Sequence, residues 1–339
     1  MLEKPDLEDE RIIASLKREY GLPVARVSFL PLGADRNTAV YRVVAREGTP
    51  YFLKLRGGDF KDTSVTLPAY LSEQGIAHIL PPLTTTTGGL WASLDSFKVI
   101  LYPFVDGRNC YEICLSDHQW REFGATLKRI HTVILPPGLS GRIPAETYTP
   151  CWRERVRTFL QRVEQDTFPD PVAARLAAFL RARRREILDL VGRAGHLARA
   201  LQAGSQESVL CHSDLHAGNL LIDASGTFYI VDWDDPILAP KERDLMFIGG
   251  AQGFLGHTAR EEETLFYQGY GPTRIDPIAL AYYRYERIVQ DIAVFCEQIL
   301  LTGGDGQDRE QSFRYLTSSF LPNGTIEMAY RSDRALGWD

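Results

Sequence analysis

The chain has 339 residues, 44% of them hydrophobic and 24% charged, the make-up of an ordinary globular protein. A folded chain of that length hides roughly 75% of the surface its unfolded form exposes, so a large core is available and two domains or lobes are expected. The net charge of −6 speaks against bulk attraction to nucleic acid or an anionic membrane, and it favours a cationic small molecule.

The opening MLEKPDLEDERIIASLKREYG is charged and carries no apolar core, so no secretory signal is read there. Asp9 to Tyr20 reads as a helix stopped by Gly21 and Pro23. Short β-rich runs follow: RVSFLPL, a turn-like GADRNT, AVYRVVA and TPYFLKLR. Thr63 to Gln74 reads as a helix ended by Gly75. LWASLDSFKVILYPFV then supplies two more strands.

After Gly107 the texture turns helical, over Ser116–His131, Cys151–Gln165, Val172–Leu201 and Pro277–Leu300. Ser116 and Gln119 have the spacing of a capping box. Within RLAAFLRARRREILDLVGRAGHLARA, residues Leu176, Phe179, Leu180, Ile187, Leu188 and Val191 form one broad apolar face. The arginines are left for solvent, and a nucleic-acid-binding reading has no aromatic or groove-reading context to support it. No run of about 18 apolar residues marks a transmembrane helix. The five scattered cysteines, Cys110, Cys114, Cys151, Cys211 and Cys296, fit a reduced, cytoplasmic chain. Cys110 and Cys114 have no second ligand pair and read as free thiols. The expected fold is α+β and two-lobed, with a β-rich lobe over residues 1–105 and a mainly helical lobe over 106–339.

One β interruption stands out in the helical part. CHSDLHAGNLLIDASGTFYIVDWDD sets five Asp, two His and one Asn among apolar residues. VLC, NLLI and FYIV read as short strands, and DASGT as a hairpin turn. Asp214 and Asn219 then lie on the loop between two strands, and Asp232 follows the next strand. The Asn219 carbonyl oxygen and the Asp232 carboxylate are the hard oxygen donors Mg²⁺ takes. Asp214 is suited to orient a hydroxyl and accept its proton. His212 and His216 read as structural hydrogen-bonding groups. One Asp or Asn on a loop is ordinary, but three at this spacing between strands are not.

Protein kinases place a base in H-R-D, an Asn after it, and a metal ligand in D-F-G. Here His212-Ser213-Asp214, Asn219 and Asp232-Trp233-Asp234 stand in that order. HSDLHAGNLLI…YIVDWDD resembles the aminoglycoside phosphotransferase family, which has a protein-kinase-like fold, with Ser213 in place of a common glycine. APKERDLMFIGG and YYRYERIVQDIAVF look like its spectinomycin 9-phosphotransferase branch, and the resemblance covers nearly the whole chain.

The resemblance implies an ATP-dependent phosphotransferase, with GTP as a possible donor, Mg²⁺ as cofactor and a hydroxyl of a small cationic aminocyclitol, most like spectinomycin, as acceptor. It makes 1–105 the nucleotide-binding lobe with its hinge, and 106–339 the lobe with the catalytic loop and acceptor site. Asp214 would be the base, and Asn219 and Asp232 the metal ligands. Lys54 in YFLKLR would hold phosphates, paired with Asp62 rather than Glu73 if such a pair exists at all. In PLGADRNTAVYRV there is no G-x-G-x-x-G, so backbone N–H groups from Ala34 to Thr38, and the Asn37 and Thr38 side chains, would meet phosphate. Pro103, Phe104 and Val105 would read adenine through backbone groups, Pro103 offering only its carbonyl. A cationic acceptor asks for carboxylates, and Asp234, Asp235, Glu242, Glu286 and Asp291 are the candidates, although Arg287 and Asp291 also have the spacing of a helix ion pair. Asp244 is expected to brace the catalytic loop. The rivals are a kinase of another small alcohol such as choline, homoserine or methylthioribose, and a non-catalytic nucleotide-binding module. Neither nucleic acid nor membrane is expected as a partner, and the residues carry no reading of oligomeric state.

Overall fold

A computed structural model of the chain describes residues 3–33, 35, 37–249, 255–302, 306–322 and 324–337. In chain order the first elements are α1 (Asp9–Tyr20), β1 (Val24–Leu30), β2 (Thr38–Ala45), β3 (Pro50–Arg56), α2 (Thr63–Glu73), β4 (Ala92–Leu94), β5 (Phe97–Pro103) and β6 (Gly107–Asn109). Then come α3 (Asp117–Thr132), α4 (Pro137–Ser140), α5 (Cys151–Gln165), α6 (Pro171–Ala182), α7 (Arg184–Gln202) and β7 (Val209–Cys211). After a 3₁₀ turn over Ala217–Asn219 follow β8 (Leu220–Asp223), β9 (Phe228–Ile230), β10 (Ile237–Ala239), α8 (Glu242–Leu245), α9 (Ala259–Tyr270), α10 (Pro277–Leu300), α11 (Gln307–Ser318) and α12 (Thr325–Leu336).

Packing divides the chain into two compact units. One holds Met1–Leu115, Val133–Ile143 and Asp214–Pro236, and the other holds Ser116–Thr132, Pro144–Ser213 and Ile237–Asp339. The stretch from Asp214 to Asp235 therefore packs with the sheet, although it lies far along the chain in a helical context.

The sheet unit is built on a five-stranded sheet of order β1-β2-β3-β5-β4 with every pair antiparallel. Alternation decides its faces. Leu53 and Leu55 of β3, Tyr41 and Val43 of β2, and Val99 and Leu101 of β5 join one core with Ile12 and Leu16 of α1. The residues between them on β3, Lys54 and Arg56, therefore point to the opposite face. Helix α1 ends as read: Gly21 takes φ 62°, and its N–H reaches the Leu16 carbonyl. A second, three-stranded sheet joins β6, β8 and β9. Its β8–β9 hairpin turns on DASGT, where Asp223 Oδ1 accepts the N–H groups of Ser225 and Thr227 at 2.9 and 3.0 Å.

The helical unit packs around α10, which touches α5, α7, α11 and α12 and buries Tyr282, Tyr283, Tyr285, Ile288, Val289, Ile292 and Cys296. The Ser116–Gln119 capping box is present in both directions, at 2.7 and 3.3 Å. Helix α3 lies unusually close to α9. A Cβ at Gly124 would stand 2.1 Å from the Phe266 carbonyl oxygen, and one at Gly269 would stand 1.8 Å from that of Arg121.

Two expectations are corrected. The helix read over Val172–Leu201 is two helices, α6 and α7, broken at Arg183 (φ −100°, ψ 6°). On α7 the buried stripe is Ile187, Leu190, Val191, Ala194, Leu197, Ala198 and Leu201, while Leu188 is exposed. Ile187 and Val191 of the expected apolar face lie on this stripe, and Leu188 alone falls off it. The strands β6 and β10 were not expected either: GRN carries no apolar or β-branched residue, and ILA no alternation. All five cysteines are free thiols, as read. Among the described residues no helix is long and apolar enough to cross a membrane.

Candidate active site

The candidate site lies on the sheet unit. Lys54, on the face of β3 turned away from the α1 core, donates at 2.8 Å to Asp232 Oδ1 and to both oxygens of Asp234. Burial works to lower the pKa of this lysine, but the two carboxylates outweigh it and hold the ammonium above its ordinary value. Asp234 is itself pushed up by burial, against the pull of Lys54. Arg56, two residues along the same strand, donates to Asp234 Oδ2 at 2.9 Å, to Thr38 Oγ1 at 2.8 Å and to Asp35 Oδ2.

The loop from Asp214 to Asn219 closes on itself. Asn219 Nδ2 donates to the Asp214 carbonyl at 2.8 Å and to its carboxylate Oδ2 at 3.3 Å. His216 caps the 3₁₀ turn, its Nδ1 accepting from the Gly218 N–H at 3.0 Å, and its ring stacks on Tyr111 at 5.8 Å. His212 is 1% exposed, and its backbone N–H bonds to Asp244. The Asn219 carbonyl accepts the Val231 N–H at 3.0 Å, which brings Asn219 beside the residue preceding Asp232. Because the Asn219 amide nitrogen is committed to Asp214, its Oδ1 is the atom left to accept or ligate. Asn219 Oδ1 and the Asp232 carboxylate, whose side chain is 46% exposed, are a donor set that suits a hard divalent cation.

Backbone conformation marks the same stretch. Ser213 has φ 74° and Asp232 φ 67°, both in the left-handed region that costs a non-glycine residue about 1–2 kcal/mol. Ser213, the position where the family commonly has glycine, therefore adopts the conformation glycine reaches freely. Within the helical unit the peptide is pinned there: Asp244 accepts the N–H of His212 at 2.9 Å and of Ser213 at 2.6 Å. Asp244 also accepts from His131 Nε2 at 3.0 Å, and His131 Nδ1 meets the Tyr270 hydroxyl at 2.8 Å. The expected bracing role of Asp244 has this geometry.

Other expected residues fall elsewhere. The Lys54–Asp62 pair does not form. Asp62 sits at the N-cap of α2 with its side chain 44% exposed and pairs with Arg142, while Glu73 is exposed. The lysine's partners come from Asp232 and Asp234, about 180 residues away in sequence rather than eight. Thr38 Oγ1 donates to Asp35 Oδ2 at 2.8 Å and the Asn37 N–H to Asp35 Oδ1 at 2.8 Å, while Ala34 lies outside the described residues. Pro103, Phe104 and Val105 are half-buried and run from the end of β5 into a segment without regular structure.

The acceptor carboxylates separate. Asp235 is exposed and meets Lys61 at 3.0 Å. Asp234 serves Lys54 and Arg56. Asp291 pairs with Arg287 at 3.0 Å, one turn away on α10. Glu242 and Glu286 are corrected: both are interior groups of the helical unit. Glu242 accepts the Asp276 N–H at 2.9 Å, and Glu286 is bound by Arg153 at 2.6 Å. Burial pushes the Glu286 carboxyl up to about 7 despite Arg153. Sequence reading missed Arg56 and Asp35. The alternation of LKLR, which puts Arg56 on the face of Lys54, was the available signal for Arg56.

Comparison with known proteins places the chain in a family. Residues 28–270 match the phosphotransferase enzyme family. The chain is 36% identical to a spectinomycin phosphotransferase solved with ADP and spectinomycin, over 97% of this chain and 99% of that one, with a TM-score of 0.89. The AMP-bound complex of spectinomycin phosphotransferase gives 36% identity over 95% and 98% of the two chains, with a TM-score of 0.84. An amicoumacin kinase in complex with AMP-PNP and Ca²⁺, 16% identical over 95% and 97% with a TM-score of 0.61, shares the fold. The search of curated proteins gave no match. The resemblance to spectinomycin phosphotransferase read from the motifs is borne out, as is the kinase-like α+β fold, and the chain belongs to the phosphotransferase enzyme family.

Proposed function

We propose that this protein transfers the γ-phosphoryl group of ATP, as its magnesium complex, to a hydroxyl of a cationic aminocyclitol, with spectinomycin as the acceptor. The observation that carries the reading is likeness over almost the full length of both chains to a spectinomycin phosphotransferase that binds ADP and spectinomycin. The gathering of Asp214, Asn219, Asp232 and Lys54 in one compact unit supports it.

In this reading Asp214 orients the acceptor hydroxyl and takes its proton as the oxygen bonds to the γ-phosphorus and the bond to the ADP oxygen breaks. Asn219 Oδ1 and the Asp232 carboxylate hold Mg²⁺, which when bound neutralises phosphate charge. Lys54 exchanges carboxylate partners for phosphate oxygens. Backbone groups of Pro103 to Val105 meet the adenine, and Asn37 and Thr38 face the phosphates. Asp235 is the carboxylate best exposed to meet an acceptor ammonium. Nucleotide falls to the sheet unit, which takes in Asp214–Pro236 as well as Met1–Leu115, so the division is not the simple cut at residue 105 expected from the sequence. The five free thiols support a reducing, cytoplasmic setting.

The test is ADP release from Mg-ATP by purified protein, with and without spectinomycin, and with Asp214→Asn as control. Release that requires both spectinomycin and Asp214 is expected. Bound ATP without spectinomycin-stimulated release would overturn the acceptor, and stimulated release from Asp214→Asn would overturn the base.

A further inference from the structure

The cationic equipment of the sheet unit is larger than one lysine. Arg56 follows Lys54 by two residues on β3, so both leave the same face of the sheet. Both are bound by the single carboxylate of Asp234, at 2.8 and 2.9 Å. The Arg56 side chain is 21% exposed, deeper than a surface arginine needs to be.

Around Arg56 three donors converge on one carboxylate. Arg56 Nη1 and Thr38 Oγ1 both donate to Asp35 Oδ2, the latter at 2.8 Å, and the Asn37 N–H donates to Asp35 Oδ1 at 2.8 Å. A guanidinium, a hydroxyl and a backbone N–H aimed at one anion are the donor set of a phosphate site. A carboxylate from the loop between β1 and β2 occupies it.

We propose that Arg56, Thr38 Oγ1 and the Asn37 N–H form a second phosphate-binding set beside Lys54, and that Asp35 is its displaceable internal occupant. The proposal rests on the nucleotide reading given above, which already sets Asn37 and Thr38 at the phosphates, and it adds Arg56 as a donor and Asp35 as the occupant. Its chemistry is an exchange of anions: a phosphate oxygen of the nucleotide replaces the Asp35 carboxylate on three donors that stay in place. Asp35 then acts as a built-in competitor and sets how readily the loop accepts polyphosphate.

A purely structural role predicts something different. If Asp35 and Arg56 only tied the loop to β3, losing either would loosen the same tie and move nucleotide affinity in the same direction. An occupied phosphate site predicts opposite directions. Losing Arg56 removes a donor to phosphate, and losing the Asp35 charge removes the competitor.

The experiment measures binding of adenosine and of ATP to the full chain by titration calorimetry, for the wild type, Arg56→Gln, Arg56→Lys and Asp35→Asn. Arg56→Gln is expected to weaken ATP by about 10- to 100-fold, the worth of a charge-assisted hydrogen bond. Adenosine binding is expected to stay unchanged, which also shows that the variant is folded. Arg56→Lys should recover part of the loss, because it restores charge without the fork. Asp35→Asn should bind ATP more tightly than wild type. Equal loss of adenosine and ATP in Arg56→Gln, or no loss of ATP, would overturn the proposal. So would a weakening of ATP binding in Asp35→Asn. Those outcomes leave the nucleotide reading intact as long as the wild type binds ATP. A wild type that binds no ATP sinks that reading and this one with it.

Discussion

Acidic residues set among apolar neighbours occur in both units, and the two sets are built differently. In the sheet unit Asp232 and Asp234 are 46% and 23% exposed at the side chain and share Lys54 between them. In the helical unit Glu286 is 7% exposed against Arg153, and Asp244 is fully buried with three donors on its carboxylate. The first set can trade its partners for a ligand, because water and ligand reach it. The second has no such exchange available, and its hydrogen bonds hold backbone and helices in place. Sequence makes the two look alike, whereas solvent access and saturation of the acceptors tell them apart.

The sharpest way to break this contrast is Asp214→Asn. Its turnover should fall by about 10²–10⁴, the usual worth of a positioned base, with thermal stability unmoved. A variant that unfolds instead would put Asp214 in the structural set. Arg153→Ala should do the reverse. It leaves the Glu286 carboxyl buried without its cation, which costs roughly 3–5 kcal/mol of stability by denaturant titration. Turnover per folded molecule should stay the same, and a loss of turnover without a loss of stability would place Glu286 with the acceptor after all.

Acid–base linkage gives a third, smaller probe. The Glu286 pKa is raised from 4.5 to about 7 by burial, against Arg153. The folded state then binds the proton more tightly than the unfolded one, so this group's contribution to stability is greatest below about pH 4.5 and is lost as pH rises toward 7. The stability of Glu286→Gln should therefore lack this downward slope between those values, as seen in unfolding curves across the range. An identical slope in both proteins would refute the shift. The smallest effect belongs to Asp62→Ala. Its partner Arg142 is as exposed as it is, so stability should move by no more than about 1 kcal/mol and ATP affinity should not change. A clear loss of ATP affinity would return Asp62 to the phosphate side.

The proposed catalytic stretch stands out in the sequence because its residues are close along the chain. Asp214, Asn219 and Asp232 are spaced by one loop and one hairpin, and turn chemistry at DASGT sets where the hairpin reverses. Lys54 was legible as a cation in a strand, but its partners were not. They arrive from residues 232 and 234 through packing, which no spacing rule encodes. The same holds for Glu242 and Glu286, which the cationic acceptor implied by the resemblance marks as possible ligands and packing turns into internal acceptors. Long helices with a single phase, such as α5 and α10, matched to the residue. The break at Arg183 did not announce itself, since no Gly or Pro stands there. Ser213 is an intermediate case: its departure from glycine was visible, but the left-handed backbone that gives the departure a cost was not.

The close approach of α3 and α9 has a genetic consequence. At Gly124 and Gly269 a single added methyl group would overlap the backbone of the facing helix. The same two helices carry His131 and Tyr270, which meet above Asp244. A random mutagenesis screen for lost activity should therefore return alleles at these two codons, with every reacting group intact and the scaffold wedged apart. Such alleles would be natural sources of temperature-sensitive protein.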